Sequence, residues 1–401
     1  MKTLLKRMAL RCGLDVRRKK EVSQTLQVVS YGSERKRKGD VLLSYLVEPF
    51  LISENDPQFN KHSNYWECLQ MAKTFTGMGY GVDVISGPSL PEHESIPQKD
   101  YSFFIDMYRN MDKLAGVISK DCIKIYHITR AHWMFHNAAE YRRCLELQQR
   151  KMVSVKPRRQ VLPNSGIELA DYGITVGNEF TISTFAFAGK PIFRVPISTC
   201  AQFPWPEKKN YQSCKKNFLW LGGEGLVHKG LDIVLDAFAA RSDFNLFVCA
   251  RIKDEEDFEK AYLQELYETK NIKAIGWIDV SSAEFLEIAN NCIGIISLSC
   301  SEGGGGSVIQ GMHAGLIPIV SRESAVDVDD FGIVLKESSI EHLQRTISEL
   351  SSLPESELGV MSKKAWEFAR RNHTRERFSE EYDKAIRAII TKEGVSLGEE
   401  G

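Results

Sequence analysis

Four consecutive glycines, Gly303 to Gly306, stand between the apolar run Ile293-Gly-Ile-Ile-Ser-Leu298 and a segment whose apolar spacing turns helical at Val308. The run reads as a buried strand, and Ala314-Gly315 before Leu-Ile-Pro-Ile-Val320 reads as a helix end followed by another strand. A flexible Gly/Ser linker does not fit inside such a strand–loop–helix–strand unit. Glycines remove the side chains that keep an anion away, and the helix start offers it free N–H groups. Glu302, at the head of this loop, is out of place in a simple phosphate cradle. An acid there suggests a hydroxylated group attached to the phosphate, and the combination points to a nucleotide sugar.

The same alternation runs along most of the 401 residues. In the first part, strands are predicted at Asp40–Val47, Val82–Ile85, Ser102–Asp106, Ile123–Ile128, Val161–Leu162, Gly173–Val176 and Ile192–Val195, with a helix at Tyr65–Phe75. A polar stretch with two prolines, Pro204 to Asn217, reads as a linker. Beyond it, strands are predicted at Phe218–Leu221, Asn245–Cys249, Ile272–Ile275, Ile293–Leu298, Ile317–Val320 and Ile333–Leu335, alternating with helices at Leu231–Phe238, Ala283–Ala289 and Ser307–His313. Apolar strands separated by helix-length segments indicate parallel βαβ units. The expected class is α/β, with two Rossmann-like domains facing an interdomain cleft and C-terminal helices after the second. The expected boundaries are 1–39 for a basic N-terminal segment, 40–200 for the first domain, 201–217 for the linker, 218–375 for the second domain and 376–401 for a C-terminal helix and tail. Phe378, Tyr382, Ala385, Ile386 and Ile389 share one face of that last helix, so it must pack against something, most simply its own domain.

A net charge of −1 gives no signal for nucleic acid, but residues 1–40 hold twelve Lys or Arg against four acids. Met1, Leu4, Leu5 and Met8 repeat at helical spacing among Lys2, Lys6, Arg7 and Arg11, which fits a helix on an anionic membrane surface as well as a solvated basic tail. A transit peptide is a third reading. Nine cysteines without a C-x-x-C pair argue against a disulfide framework or a structural zinc, and for a reducing cytoplasm. Without a long apolar run, the expectation is a cytoplasmic protein, peripheral at most on the cytoplasmic face of a membrane.

Three elements follow in order in the second half: Phe218-Leu-Trp-Leu-Gly-Gly-Glu-Gly-Leu-Val-His-Lys-Gly230, then Ile275-Gly-Trp-Ile278, then Ser299-Cys-Ser-Glu302 with its glycines. Together they resemble the donor domain of retaining GT-B glycosyltransferases with an E-x7-E signature, over roughly residues 217–390. The resemblance implies that Lys229 stabilises a donor diphosphate and that Glu302 lies by the donor sugar. It also implies that Gly223, Gly303, Gly304, Gly305, Gly306 and Ser307 face phosphate, and that Trp277 and Ile278 meet the base. It departs at two positions. Glu224 stands where the family has an arginine, so that a loop N–H replaces the contact, another cation such as Arg251 reaches in, or donor binding is impaired. Gln310 stands where the second glutamate would accept from the ribose, keeping one carbonyl acceptor without the charge.

The first domain carries two polar clusters, His62-Ser-Asn64-Tyr-Trp66-Glu67 and Tyr126-His-Ile-Thr129-Arg130-Ala-His132. His132, or else His127, is a candidate bridge between donor sugar and acceptor, since imidazole can donate and accept near neutral pH. Asn64, Glu67 and Arg130 are candidate acceptor contacts. Lys156-Pro-Arg-Arg159 fits either a lipid diphosphate acceptor or a solvated charge run, and Asn137, Glu140 and Arg143 share a helix face.

The expected partners are therefore a UDP-, GDP- or ADP-sugar and a glycan or lipid-linked acceptor, with no cofactor and no metal, in the setting of surface polysaccharide synthesis that similar sequences commonly occupy. The alternatives are a non-catalytic GT-B accessory subunit, motivated by Glu224 and Gln310, and a nucleotide-sugar epimerase, for which no acid/base carboxylates are evident.

Overall fold

A computed structural model describes residues 27–32, 37–89 and 95–394. The membrane-surface reading of residues 1–20 lies outside them. Two sheets form the frame. The first contains β1 (Val28–Tyr31), β2 (Asp40–Tyr45), β3 (Gly81–Ser86), β4 (Tyr101–Asp106), β5 (Ile123–Ile128), β6 (Tyr172–Thr175) and β7 (Ile192–Arg194), in the order β1-β3-β2-β4-β5-β6-β7. Its neighbours are parallel except β1, which runs antiparallel along β3 with Val28 opposite Ile85. Strand β1 falls inside the segment read as basic, because a four-residue run beside a charge cluster carries too little pattern to stand out.

The second sheet contains β8 (Asn217–Leu221), β9 (Asn245–Cys249), β10 (Ile272–Ala274), β11 (Gly294–Ser297), β12 (Ile317–Ser321) and β13 (Ile333–Leu335), all parallel, in the order β10-β9-β8-β11-β12-β13. Counted from β8, this is the doubly wound order 3-2-1-4-5-6. The helices used below are α1 (Ser63–Gly77), α2 (Trp133–Lys151), α3 (Leu231–Ala239), α4 (Ala283–Asn290), α5 (Gly306–His313), α6 (Ile340–Ser352), α7 (Glu355–Asn372) and α8 (Arg375–Lys392).

Two helices cross between the domains. α8 leaves the second domain after Thr374, whose hydroxyl caps it by accepting from the Arg377 N–H, and returns to the first. Phe378, Tyr382, Ala385, Ile386, Ile389 and Ile390 are buried in the core that holds Val41, Leu43, Met71, Phe75 and Phe103. The helix thus packs on α1 of the other domain rather than on its own. α2 crosses in the opposite direction. Its Leu147, and Val155 just beyond its end, join the second-domain core around Phe218, Trp220 and Leu235. Arg150 pairs with buried Asp232 at 2.7 Å and with Asp236 at 2.9 Å, and Lys151 pairs with Asp236 and Glu265. A carboxylate as buried as Asp232 depends on such partners, since removing one strands a charge. Val161–Leu162, predicted as a strand, belongs to this crossing segment and has no sheet partner. No helix among the described residues is long and apolar enough to cross a membrane.

Candidate functional site

In a doubly wound sheet, ligands bind beyond the carboxyl ends of the two strands where the order reverses. Those strands are β8 and β11. The loop after β8 carries Lys229 and the loop after β11 carries Glu302, and the Lys229 ammonium donates a hydrogen bond to Glu302 Oε1. The Glu302 side chain is 16% exposed. Burial alone would raise its pKa, but Lys229, Arg159 and His228 together outweigh that and hold the carboxyl well below the usual carboxylate range. The loop is fixed from below: the Glu302 N–H donates to the Glu323 carbonyl at 2.9 Å, and Ser321 Oγ donates to the Ser299 carbonyl at 2.6 Å.

The glycines solve a packing problem as well. A Cβ on Gly303 would lie 2.3 Å from the Arg130 nitrogen and 2.4 Å from the Thr129 carbonyl carbon, so the backbones of the two domains touch there. Gly304 meets the Val176 carbonyl in the same way, at 3.1 Å. Gly305 caps α5 in the left-handed region, φ 57°, while Gly306 and Ser307 open the helix on its accessible side.

Two histidines hold Ser301, the residue before Glu302. His136 Nε2 lies 2.7 Å from the Arg159 carbonyl, which can only accept, so Nε2 carries the proton and Nδ1 accepts from Ser301 Oγ at 3.1 Å. His228 Nε2 donates to the Ser301 carbonyl at 2.5 Å. Burial lowers their pKa values to about 4 and about 3, so both are neutral at pH 7. Neither was singled out from sequence for this role, although His136 follows His132 by one helical turn.

His132 sits at the start of α2, its ring 4.8 Å from that of Phe187 and 5.5 Å from that of Phe185. Its buried Nε2 has no partner among the described residues. His127, on β5, is 1% exposed with neither ring nitrogen bonded to a described residue, and burial lowers it to about 4. His127, Arg130, His132 and Asn164 line one small cavity.

At the start of α1, the His62 ring accepts from the Asn64 N–H at 3.2 Å and caps the helix. Burial lowers the His62 pKa, and the charges of Lys229 and Arg159 add to this, which puts the ring on the cleft wall near both. Asn64 Oδ1 is buried with no described partner. Glu67 points elsewhere: it accepts from both the N–H and the hydroxyl of Ser198 at 2.8 Å, tying α1 to the connection between domains.

Gln310 is also engaged with that connection. It is 4% exposed; Oε1 accepts from Thr199 Oγ1 at 3.0 Å and the Ala201 N–H at 3.2 Å, and Nε2 donates to the Ala201 carbonyl at 3.0 Å. Glu224 is exposed and acts on Arg158, which is paired with Asp257. Arg251 lies over the Trp277 ring at 5.5 Å; Trp277 is 53% exposed and Ile278 is buried. Gly223 is exposed on the loop after β8.

No family model matches the chain, and no curated protein matches it in sequence. Solved structures do match in shape. Sucrose-phosphate synthase from Thermosynechococcus elongatus aligns over 89% of this chain and 100% of its own, at 13% identity and a TM-score of 0.61. Anabaena HepE, in complex with UDP and glucose, aligns over 87% and 100% at 12% identity and 0.54, and TarM over 76% and 57% at 13% identity and 0.52. These neighbours are GT-B glycosyltransferases. The chain has the GT-B fold.

Proposed function

We propose that this chain is a glycosyltransferase moving a sugar from a nucleotide-sugar donor to a glycan or lipid-linked acceptor, with retained anomeric configuration and no metal ion. The observation that carries the reading is the Lys229–Glu302 pair where the second sheet reverses its order, directly before the start of α5. As the bond between the anomeric carbon and the diphosphate breaks, its electron pair leaves with the phosphate. The acceptor oxygen bonds to the same carbon and passes its proton to the departing diphosphate oxygen. An ammonium beside the leaving oxygen offsets the growing charge. On this reading the diphosphate takes Lys229 over from Glu302, and the freed carboxylate accepts from sugar hydroxyls. The glycines that open α5, Ser307 and Gly223 receive the phosphates, and Trp277 and Ile278 flank the base. His132, His127, Arg130 and Asn64 are the acceptor-side candidates, with His62 added by its place on the cleft wall. The UDP bound to HepE supports a nucleotide donor and makes UDP-sugars the first class to test, ahead of GDP- and ADP-sugars. Surface-polysaccharide synthesis and attachment of residues 1–20 to an anionic membrane belong to the same proposal.

One observation favours the accessory-subunit reading: the Gln310 amide, at the position expected to hold ribose, is bonded to Thr199 and Ala201. Nucleotide binding and nucleotide release with a panel of UDP-, GDP- and ADP-sugars separate the two. Turnover that falls about a hundredfold or more in Glu302→Ala and Lys229→Ala supports the transferase. Binding without turnover supports the accessory subunit, and neither binding nor turnover overturns both.

A further inference from the structure

A nucleotide-sugar diphosphate carries two negative charges, and the loop after β8 supplies Lys229 but an acid at position 224. We propose that Arg159, delivered by the first domain, is the second cation of the diphosphate site. This rests on the nucleotide-sugar reading above and names a group which that reading leaves open.

Residues 152–162 run from the end of α2 along the second domain. Val155 is buried in that domain's core, and the Lys156 N–H donates to Asp257 Oδ2 at 2.9 Å. Side chains alternate along extended chain. Arg158 turns to Asp257, with Glu224 acting on it from the loop. Arg159, its neighbour, goes the other way. Its backbone is fixed at both ends: the N–H donates to Glu140 Oε1 at 2.8 Å, and the carbonyl accepts from His136 Nε2 at 2.7 Å. Its stem then crosses Gly225, where an added Cβ would stand 2.4 Å from Arg159 Cγ, and where φ is 85°. Glycine at 225 therefore serves both the turn and the passage of the arginine.

The guanidinium arrives half-buried and makes no hydrogen bond or ion pair with any described residue. Its charge nevertheless acts on Glu302, His62 and His136. A cation fixed through its backbone, acting on the carboxylate that Lys229 holds and with its donors unspent, suits an anion that arrives from outside. A guanidinium fork also matches phosphate oxygens in geometry. Lys229 and Arg159 together match the charge of the diphosphate.

The test is the affinity of the full-length protein for UDP, GDP and ADP by calorimetry, in wild type, Arg159→Gln and Arg159→Lys, with thermal melts of each. For whichever diphosphate wild type binds, Arg159→Gln is expected to weaken binding about ten- to a hundredfold, the loss for a charge-assisted bond. Arg159→Lys should recover part of it, and the melting midpoint should move little, because the guanidinium makes no hydrogen bond or ion pair with a described residue and only its charge acts on Glu302. Wild-type affinity in Arg159→Gln overturns the proposal and leaves the nucleotide-sugar reading standing. A lowered midpoint with no recovery in Arg159→Lys overturns it too, by assigning Arg159 a structural role. Failure of wild type to bind any of the three sinks the underlying reading, and this proposal with it.

Discussion

Changing Gln310 to glutamate restores the acid that the E-x7-E signature carries there, and the geometry predicts that the restoration harms the fold. The amide donates to the Ala201 carbonyl at 3.0 Å and accepts from Thr199 and Ala201 on its other end. A carboxylate keeps both accepting bonds but sets an oxygen against the carbonyl oxygen with no proton between them. An unpaired buried carbonyl costs ~1–3 kcal/mol. Ionising an acid at a position 4% exposed adds to that. The expected loss is about 2 kcal/mol or more at pH 8, or ~4–8 °C in melting midpoint for a domain of this size. Burial also raises the new acid's pKa. Below it the protonated carboxyl can donate to Ala201, so the deficit is full above that pKa and shrinks as pH falls. Melts of wild type, Gln310→Glu and the near-isosteric Gln310→Met at pH 8 and pH 5 read this out. Gln310→Glu as stable as wild type at pH 8, with tighter nucleotide binding, would refute the clamp and return position 310 to the ribose.

Gly303→Ala forces a Cβ into the Thr129–Arg130 backbone and should part the domains, seen as faster hydrogen exchange at residues 129–132 and 301–304; unchanged exchange contradicts the contact. His127, His136, His313 and His373 have folded-state pKa values of about 4, and His228 of about 3, against ~6.5 unfolded. The unfolded chain binds more protons in that window, so their contribution is full above pH ~6.5 and is lost as pH falls through about 4. Asp106, raised to about 6 by burial, runs the other way and offsets part of it. Denaturant midpoints should therefore drop between pH 6.5 and 4, and a flat profile counts against the buried imidazoles. Removing residues 375–394 takes Phe378, Ile386, Ile389 and Ile390 out of the first-domain core, each worth ~1.5–3 kcal/mol buried, and uncovers Met71 and Phe75 beneath them. Limited proteolysis should then cut the first domain before the second, and equal resistance would argue against the crossing.

The parallel strands were legible because continuous apolar runs such as Asp40–Tyr45 and Gly294–Ser297 are what a sheet covered on both faces requires. The Lys229–Glu302 pair was legible through motif order, since both loops leave the strands that flank the reversal. What escaped is what depends on partners. The apolar face of the last helix was visible, but not that its partner is α1, some 300 residues earlier. Gln310 was visible as a departure, while Thr199 and Ala201, its partners, carry no pattern that announces them. Arg158 and Arg159 are indistinguishable in a basic run until the path of the chain sends one to Asp257 and the other over Gly225.

The return of α8 also sets an order of events at synthesis. The strands of the first domain are complete once residue 194 has been made, yet its core lacks six side chains until residue 390 follows. At ~5–20 residues per second this leaves roughly 10–40 s in which an apolar groove along α1 waits on the ribosome for the far end of the same chain. The second domain, whose crossing helix α2 precedes it, has every part of its core in hand by the end of α7. The domain translated first is thus the one that finishes folding last.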